Sequence, residues 1–266
     1  MPYLNQNGIG IYYEVAGSGP EILLVNGLGG DTRFWAPLVA CLEKSFRVLA
    51  YDMRCAGKSD KPDAPFSVED LADEAHALLG RLCSGRACVL GFSMGGMVAI
   101  KLAARHPDCV RKLFLVATAP SLKGPFPASE KTLSMFRRTD ISAELLTEVY
   151  EAVFGPEYRK KVSAREFIDF RMNDENPQPA FAYLRQMEAL ESFDLRAEVK
   201  KITASATVIA GEEDSVIPPD NADWLSGQIK GSTLHRIPGV GHMAPLEAAE
   251  GLADILIAEA DPLHFP

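Results

Sequence analysis

Val89-Leu90-Gly91-Phe92-Ser93-Met94-Gly95-Gly96-Met97-Val98 changes character in the middle. Ala87 to Phe92 is a short apolar run behind a Gly85-Arg86 break and reads as a strand. Met94 to His106 holds good helix formers and stops at Pro107, so it reads as a helix. Between them stands one serine with glycines at minus two and plus two. So sharp a strand-to-helix reversal forces its central residue into a strained backbone conformation. It also brings neighbouring backbone close, and Gly91 and Gly95 have no Cβ to obstruct that approach. Ser93 Oγ is presented at the tip of the turn. The free N–H groups and positive dipole end of the following helix point there, where a negative charge would be stabilised.

On the N-terminal side of this turn, Gly10 to Val15 alternates weakly and reads as an edge strand. Glu21 to Asn26 and Phe46 to Tyr51 contain continuous apolar runs, as strands buried on both faces do. A helix is expected between them, from about Phe34 to Glu43. Ser67 is expected to cap a helix running to Leu82, with Glu69 and Asp70 suiting the dipole in its first turn. Lys112 to Thr118 is another buried strand. Strands alternating with helices imply a mostly parallel β-sheet with helices on both faces, an α/β fold.

The alternation stops at residue 121 and resumes at 194. In between, helical patterns cover Glu130 to Arg138, Ala143 to Phe154, Ala164 to Met172 and Pro179 to Leu190. We therefore expect an α/β core from residues 1–120 and 194–266, with a helical cap at 121–193. The cap holds Met135, Phe136, Tyr150, Phe154, Phe167, Phe170, Met172, Phe181, Tyr183 and Met187. Most of these are expected to pack the insert itself, and a minority to line a largely apolar cleft beneath it. Beyond the cap follow a buried strand from Ala206 to Ala210, a helix from about Pro219 to Ile229, a strand from Thr233 to Ile237 and a closing helix from Pro245 to Ala260.

The chain has 266 residues, 47% of them hydrophobic, and a net charge of −9. No basic stripe is available to neutralise phosphates, so a nucleic-acid partner is not expected. No apolar run approaches the roughly 20 residues of a membrane span, and no signal peptide is apparent. The five cysteines, Cys41, Cys55, Cys83, Cys88 and Cys109, are scattered. None is spaced for a metal site, which suits free thiols and a cytoplasmic location. No metal or organic cofactor is expected, and a homo-oligomer is compatible with the sequence.

Open parallel sheets carry their sites at the carboxyl ends of the strands. Standing there are Asn26-Gly27-Leu28-Gly29, Ser93, Asp214 and His242. A serine hydroxyl is a poor nucleophile until a neighbouring base takes its proton. Of the five histidines, only His242 lies in a glycine-bracketed loop after a strand. His76, His106, His235 and His264 sit in helix, helix end, strand and tail, and read as structural. Asp214 would hold the His242 tautomer. Glu212 and Glu213 compete for that role, but Asp214 lies further past the strand and reaches better. The oxyanion needs two backbone donors, the N–H groups of Met94 and Leu28, with Gly27 and Gly29 letting the second loop come close.

The order Ser…Asp…His, each after a strand, resembles the α/β-hydrolases with a single helical cap, over essentially the whole chain. The likeness is carried by Asn26-Gly27-Leu28-Gly29-Gly30, Asp52-x-Arg54-x-x-Gly57-x-Ser59-Asp60, Gly91-Phe92-Ser93-Met94-Gly95-Gly96, Gly211-x-x-Asp214 and Gly241-His242. Within that group the chain is most similar to 3-oxoadipate enol-lactonases, which also have Asp31, Trp35 and Ser-Met-Gly-Gly-Met in the matching places. It departs from the pattern in three places. Asn26 stands where many members have His, and Cys55 where glycine is usual. Val153-Phe154-Gly155-Pro156 replaces a Trp-Phe-Thr-Pro of the lactonases. The resemblance implies a serine hydrolase that cleaves a carboxylic ester or lactone of a small molecule through an acyl-enzyme. The alternatives are a 3-oxoadipate enol-lactonase proper, a carbon–carbon bond hydrolase and a ligand-sensing signalling protein on the same fold.

Overall fold

The computed structural model describes residues 2–260. His264 and the rest of 261–266 lie outside the described residues. Eight strands form one sheet: β1 Tyr3–Gln6, β2 Ile9–Gly17, β3 Glu21–Val25, β4 Arg47–Tyr51, β5 Ala87–Phe92, β6 Val110–Val116, β7 Ser205–Gly211 and β8 Thr233–Ile237. Their spatial order is β1-β2-β4-β3-β5-β6-β7-β8. β1 and β2 run antiparallel to their neighbours, and β3 to β8 are parallel.

The continuous apolar runs follow from burial on both faces. Successive side chains of a strand point to opposite sides. Leu23, Val25, Val89, Leu113, Leu115 and Val208 therefore enter one apolar cluster. Ile22, Leu24, Leu90, Phe114, Val116 and Ile209 enter the other. The helices α2 (Val68–Leu82) and α3 (Met94–Arg105) cover the first face; α1 (Ala36–Leu42) and α12 (Ala249–Glu259) cover the second. Burying each large aliphatic side chain is worth roughly 1.5–3 kcal/mol, so the two layers together drive the fold. Ser67 caps α2 through a reciprocal pair: its hydroxyl accepts the Asp70 N–H, and the Asp70 carboxylate accepts the Ser67 N–H.

Between β6 and β7 lie α4 (Glu130–Phe136), α5 (Ala143–Val153), α6 (Pro156–Arg159), α7 (Ala164–Met172), α8 (Ala180–Ser192) and α9 (Arg196–Val199). The helices expected over 130–138, 143–154, 164–172 and 179–190 are all present within two residues at each end. After β7, α10 (Asp220–Gln228) precedes β8, and α11 (Ala244–Glu247) precedes α12. The closing helix expected over 245–260 is thus two helices. The chain breaks at Ala248, whose φ of −140° and ψ of 44° are not helical. β1 escaped the sequence reading because Tyr-Leu-Asn-Gln is a short, half-exposed edge with no apolar run.

The loop after β3 and the turn after β5 are neighbours, because β3 and β5 pair directly. β4 lies on the other side of β3, so the strand order reverses here. Such reversals open a crevice at the carboxyl ends of the strands.

Candidate active site

Ser93 occupies the turn from β5 to α3 with φ 53° and ψ −121°. An L-residue pays for that conformation, and the surroundings hold it in place. Its N–H donates to Val116 O at 3.0 Å, and its carbonyl accepts from the Thr118 hydroxyl at 2.7 Å. The flanking glycines leave no room for a side chain. A Cβ on Gly91 would stand 2.3 Å from Gly95 O, and one on Gly95 would stand 2.1 Å from Val25 O. At Gly91 the tight return of the elbow's own helix requires glycine, and at Gly95 the end of β3 does.

Three loops converge on the serine. His242 Nε2 lies 3.0 Å from Ser93 Oγ, and His242 Nδ1 lies 2.8 Å from Asp214 Oδ2. With the Nδ1 proton facing the carboxylate, Nε2 is free to accept from the hydroxyl. The other carboxylate oxygen of Asp214 accepts the N–H groups of Val216 and Ile217, both at 2.9 Å. Asp214 and His242 are buried, whereas Glu212 and Glu213 are exposed. Phe92 packs 5.1 Å from the imidazole, ring centre to ring centre.

The histidine loop is held from two sides. Its His242 N–H donates to Val153 O of α5 at 2.8 Å. The Glu247 carboxylate accepts three amides, from Gly155 at 2.8 Å and from Gly241 and Met243 at 3.0 Å each. Burial pushes the Glu247 pKa up, and the three amides pull it part of the way back.

The loop after β3 presents Leu28 beside the elbow. A Cβ on Gly27 would stand 3.2 Å from Ser93 Cβ, so absence of a side chain at Gly27 does permit the approach. Gly29 behaves otherwise. Its φ is +68°, and a Cβ there would face Gln178 and Tyr183 of the inserted helical segment, not Ser93. Asn26, in place of the usual histidine, is buried and braces the loop. Its amide donates to Asp31 O at 2.6 Å, and its carbonyl oxygen accepts from Gly27 N–H at 3.1 Å. No acceptor among the described residues engages the N–H of Leu28 or of Met94.

Asp52 of the Asp-x-Arg motif accepts the N–H groups of Thr32 and Lys58, both at 2.7 Å, and so fixes two loops. Burial raises its pKa to about 6. Cys55 has φ +69°, which explains why glycine is the usual occupant there.

Ser93, His242, Leu28 and Met94 all face one cavity of about 250 Å³ between sheet and inserted helices. Its wall is mainly apolar, with Met97 of α3 and, from the segment between β6 and β7, Leu122, Leu146, Val149 and Phe167. Of the ten large cap side chains expected mostly to pack the insert, six line this cavity: Met135, Phe136, Phe167, Phe170, Tyr183 and Met187. Helical periodicity shows which residues share a face, but not whether that face meets protein or space. Arg138, Arg171 and Asp174 add charge at the wall. Arg33 bridges Asp31 and Asp174 at 2.6 and 2.7 Å, tying the β3 loop to the inserted segment.

Sequence patterns do not single out three polar residues of the site: Gln178, Gln186 and Glu247. Gln186 does carry a visible signal, because it falls on the apolar face of α8 with Ala182, Met187, Ala189 and Leu190. Among the described residues no group of three metal-ligating side chains occurs, and no helix is long and apolar enough to cross a membrane.

Residues 20–249 match the family described as alpha/beta hydrolase fold. A protein of Variovorax paradoxus (strain S110) named "Putative carbamate hydrolase RutD" is 32% identical over 245 residues, spanning 87% of this chain and 89% of its own. The pimeloyl-[acyl-carrier protein] methyl ester esterase of Nitrosomonas europaea is 29% identical over 241 residues, spanning 87% of this chain and 92% of its own. The crystal structure of the enol-lactonase from Burkholderia xenovorans LB400 superposes with a TM-score of 0.84 at 30% identity, covering 97% of this chain and 99% of that one. The chain belongs to the α/β-hydrolase fold family.

Proposed function

We propose that this protein is a serine hydrolase that cleaves a carboxylic ester or lactone of a small, largely apolar molecule. One observation carries the proposal. The Ser93 hydroxyl, the His242 imidazole and the buried Asp214 carboxylate stand in a continuous chain of contacts of 3.0 and 2.8 Å, and the serine end opens into an apolar cavity. In this reading Ser93 Oγ attacks the carbonyl while His242 Nε2 takes its proton. Asp214 keeps the imidazole oriented and stabilises the imidazolium that forms. The N–H groups of Leu28 and Met94 receive the tetrahedral oxyanion. His242 returns the proton to the leaving oxygen, and the acyl group stays on Ser93. Water, activated by the same histidine, then releases the acid and restores the hydroxyl.

The names of the relatives, an enol-lactonase, a methyl ester esterase and a carbamate hydrolase, support a carbonyl bearing a heteroatom leaving group. In our reading residues 121–193 form the cap that selects the substrate. The five free thiols suit the cytoplasm.

The test is hydrolysis of short activated esters by the wild type and by Ser93→Ala, with mass spectrometry of the trapped protein. We expect loss of turnover in the variant and an acyl adduct on the Ser93 peptide of the wild type. Equal rates for the two proteins would dispose of the mechanism.

A further inference from the structure

The oxyanion loop is anchored on both sides of Leu28, and one anchor comes from the inserted helices. Before Leu28, the Gly27 N–H donates to Asn26 Oδ1 at 3.1 Å. After it, the Gly29 N–H donates to Gln186 Oε1 at 3.0 Å. Only the Leu28 N–H between them is left without an acceptor among the described residues, and it faces the cavity that holds Ser93.

Gln186 is fully buried on α8. Its Nε2 donates to Arg54 O at 2.9 Å, and its Oε1 also accepts from Gln178 Nε2 at 3.2 Å. Gln178 in turn donates to Cys55 O at 2.7 Å. A buried amide costs stability unless its hydrogen bonds are made, and a buried apolar side chain would fill the same space. The amide group at this position therefore needs a reason. Apart from Gln178, its hydrogen bonds are with the backbone of two core loops, one of which carries Leu28.

We propose that Gln186 is a positioning residue: by holding the Gly29 amide, it fixes the direction of the Leu28 N–H toward the oxyanion formed at Ser93. The proposal rests on the serine-hydrolase reading given above. It makes the inserted helical segment part of the catalytic apparatus, beyond any part in choosing the substrate. An oxyanion donor acts only when it is held in place before the charge develops, so a loosened loop loses rate more than binding.

The test uses Gln186→Leu, which keeps the volume and removes the acceptor, and Gln186→Glu, which keeps an acceptor oxygen for Gly29. Steady-state kinetics on p-nitrophenyl acetate are read beside inhibition by phenylboronic acid, whose tetrahedral serine adduct places an oxygen where the oxyanion forms. For Gln186→Leu we expect kcat to fall on the order of 10- to 100-fold, less than the ~10²–10³ that follows loss of a donor itself. KM should stay within about threefold, and boronate affinity should fall in parallel with kcat. Gln186→Glu should recover much of both. A folded Gln186→Leu enzyme with wild-type kcat and boronate affinity would overturn the proposal. If neither variant folds, amide hydrogen exchange of the wild type decides. Gly29 is expected to be protected, and fast exchange at Gly29 would overturn the proposal. An active Ser93→Ala enzyme would remove the underlying hydrolase reading. An inactive Ser93→Ala beside a fully active Gln186→Leu would remove only this inference.

Discussion

The backbone N–H of His242 donates to the carbonyl of Val153 at 2.8 Å. The imidazole that meets Ser93 is thus held in place by the last turn of a helix from the inserted segment. Glu247 completes the joint by accepting one amide from the insert side, Gly155, and two from the histidine loop, Gly241 and Met243.

All three partners of Glu247 are donors, so the residue must present two acceptor oxygens. Glu247→Gln keeps the shape but turns an NH₂ group toward an N–H. We expect a loss of about 1–3 kcal/mol, the cost of leaving buried donors unmet. At roughly 2–4 °C per kcal/mol for a chain of this size, thermal melting would resolve it. Turnover of the folded enzyme should fall too, because the loop under His242 loosens. Wild-type melting and wild-type kcat together would contradict the clamp.

Glycine to alanine should have opposite signs at two helical positions. At Gly80, inside α2, nothing lies within 4 Å of the place a Cβ would occupy. Gly80→Ala should therefore stabilise by about 0.5–1 kcal/mol through helix propensity and lost unfolded-state freedom. Gly95, at the start of α3, would drive its Cβ to 2.1 Å from Val25 O and 2.3 Å from Asn26 O. Gly95→Ala should push the elbow off β3, lower the melting temperature by several degrees and abolish esterase activity. Denaturant melts of the two variants beside the wild type check both signs.

Acid stability should depend on Glu259. Burial alone would raise its pKa, but hydrogen bonds from His235 and Thr233 and the bond and charge of Lys112 outweigh burial and hold it at about 2. Its folded pKa therefore lies below the unfolded value of 4.5. The stabilisation is complete above pH 4.5 and fades as the pH falls through about 2, with a ceiling of roughly 3 kcal/mol that solvent screening lowers. Glu259→Gln should melt below the wild type at pH 7, and the gap should close by pH 2. A gap that is constant with pH would mean the carboxylate charge contributes nothing.

Much of this protein is encoded locally. Apolar runs in Glu21 to Val25 and Ala87 to Phe92 announce strands buried on both faces, and Ser67 with Asp70 announces the start of a helix. The spacing Gly91-x-Ser93-x-Gly95 marks the elbow, and the order of Ser93, Asp214 and His242 along the chain agrees with one family. The strand, helix and elbow signals depend on residues a few positions apart, where propensity and periodicity act; the chain order of Ser93, Asp214 and His242 is legible only as a family pattern.

What the tertiary structure decided are the contacts between segments distant in sequence. Gln186 looks like a polar intruder on an apolar helix until the Gly29 amide is seen beside it. Glu247 looks like an ordinary surface acid until the three amides converge on it. Six of the ten large side chains of the inserted helices line a cavity, and Gly29 yields to those helices instead of the elbow. A backbone amide is the same in every residue, so no side-chain pattern marks which amide a buried carboxylate or carboxamide will satisfy. Only the packing of sheet, loops and inserted helices brings the partners within hydrogen-bond reach.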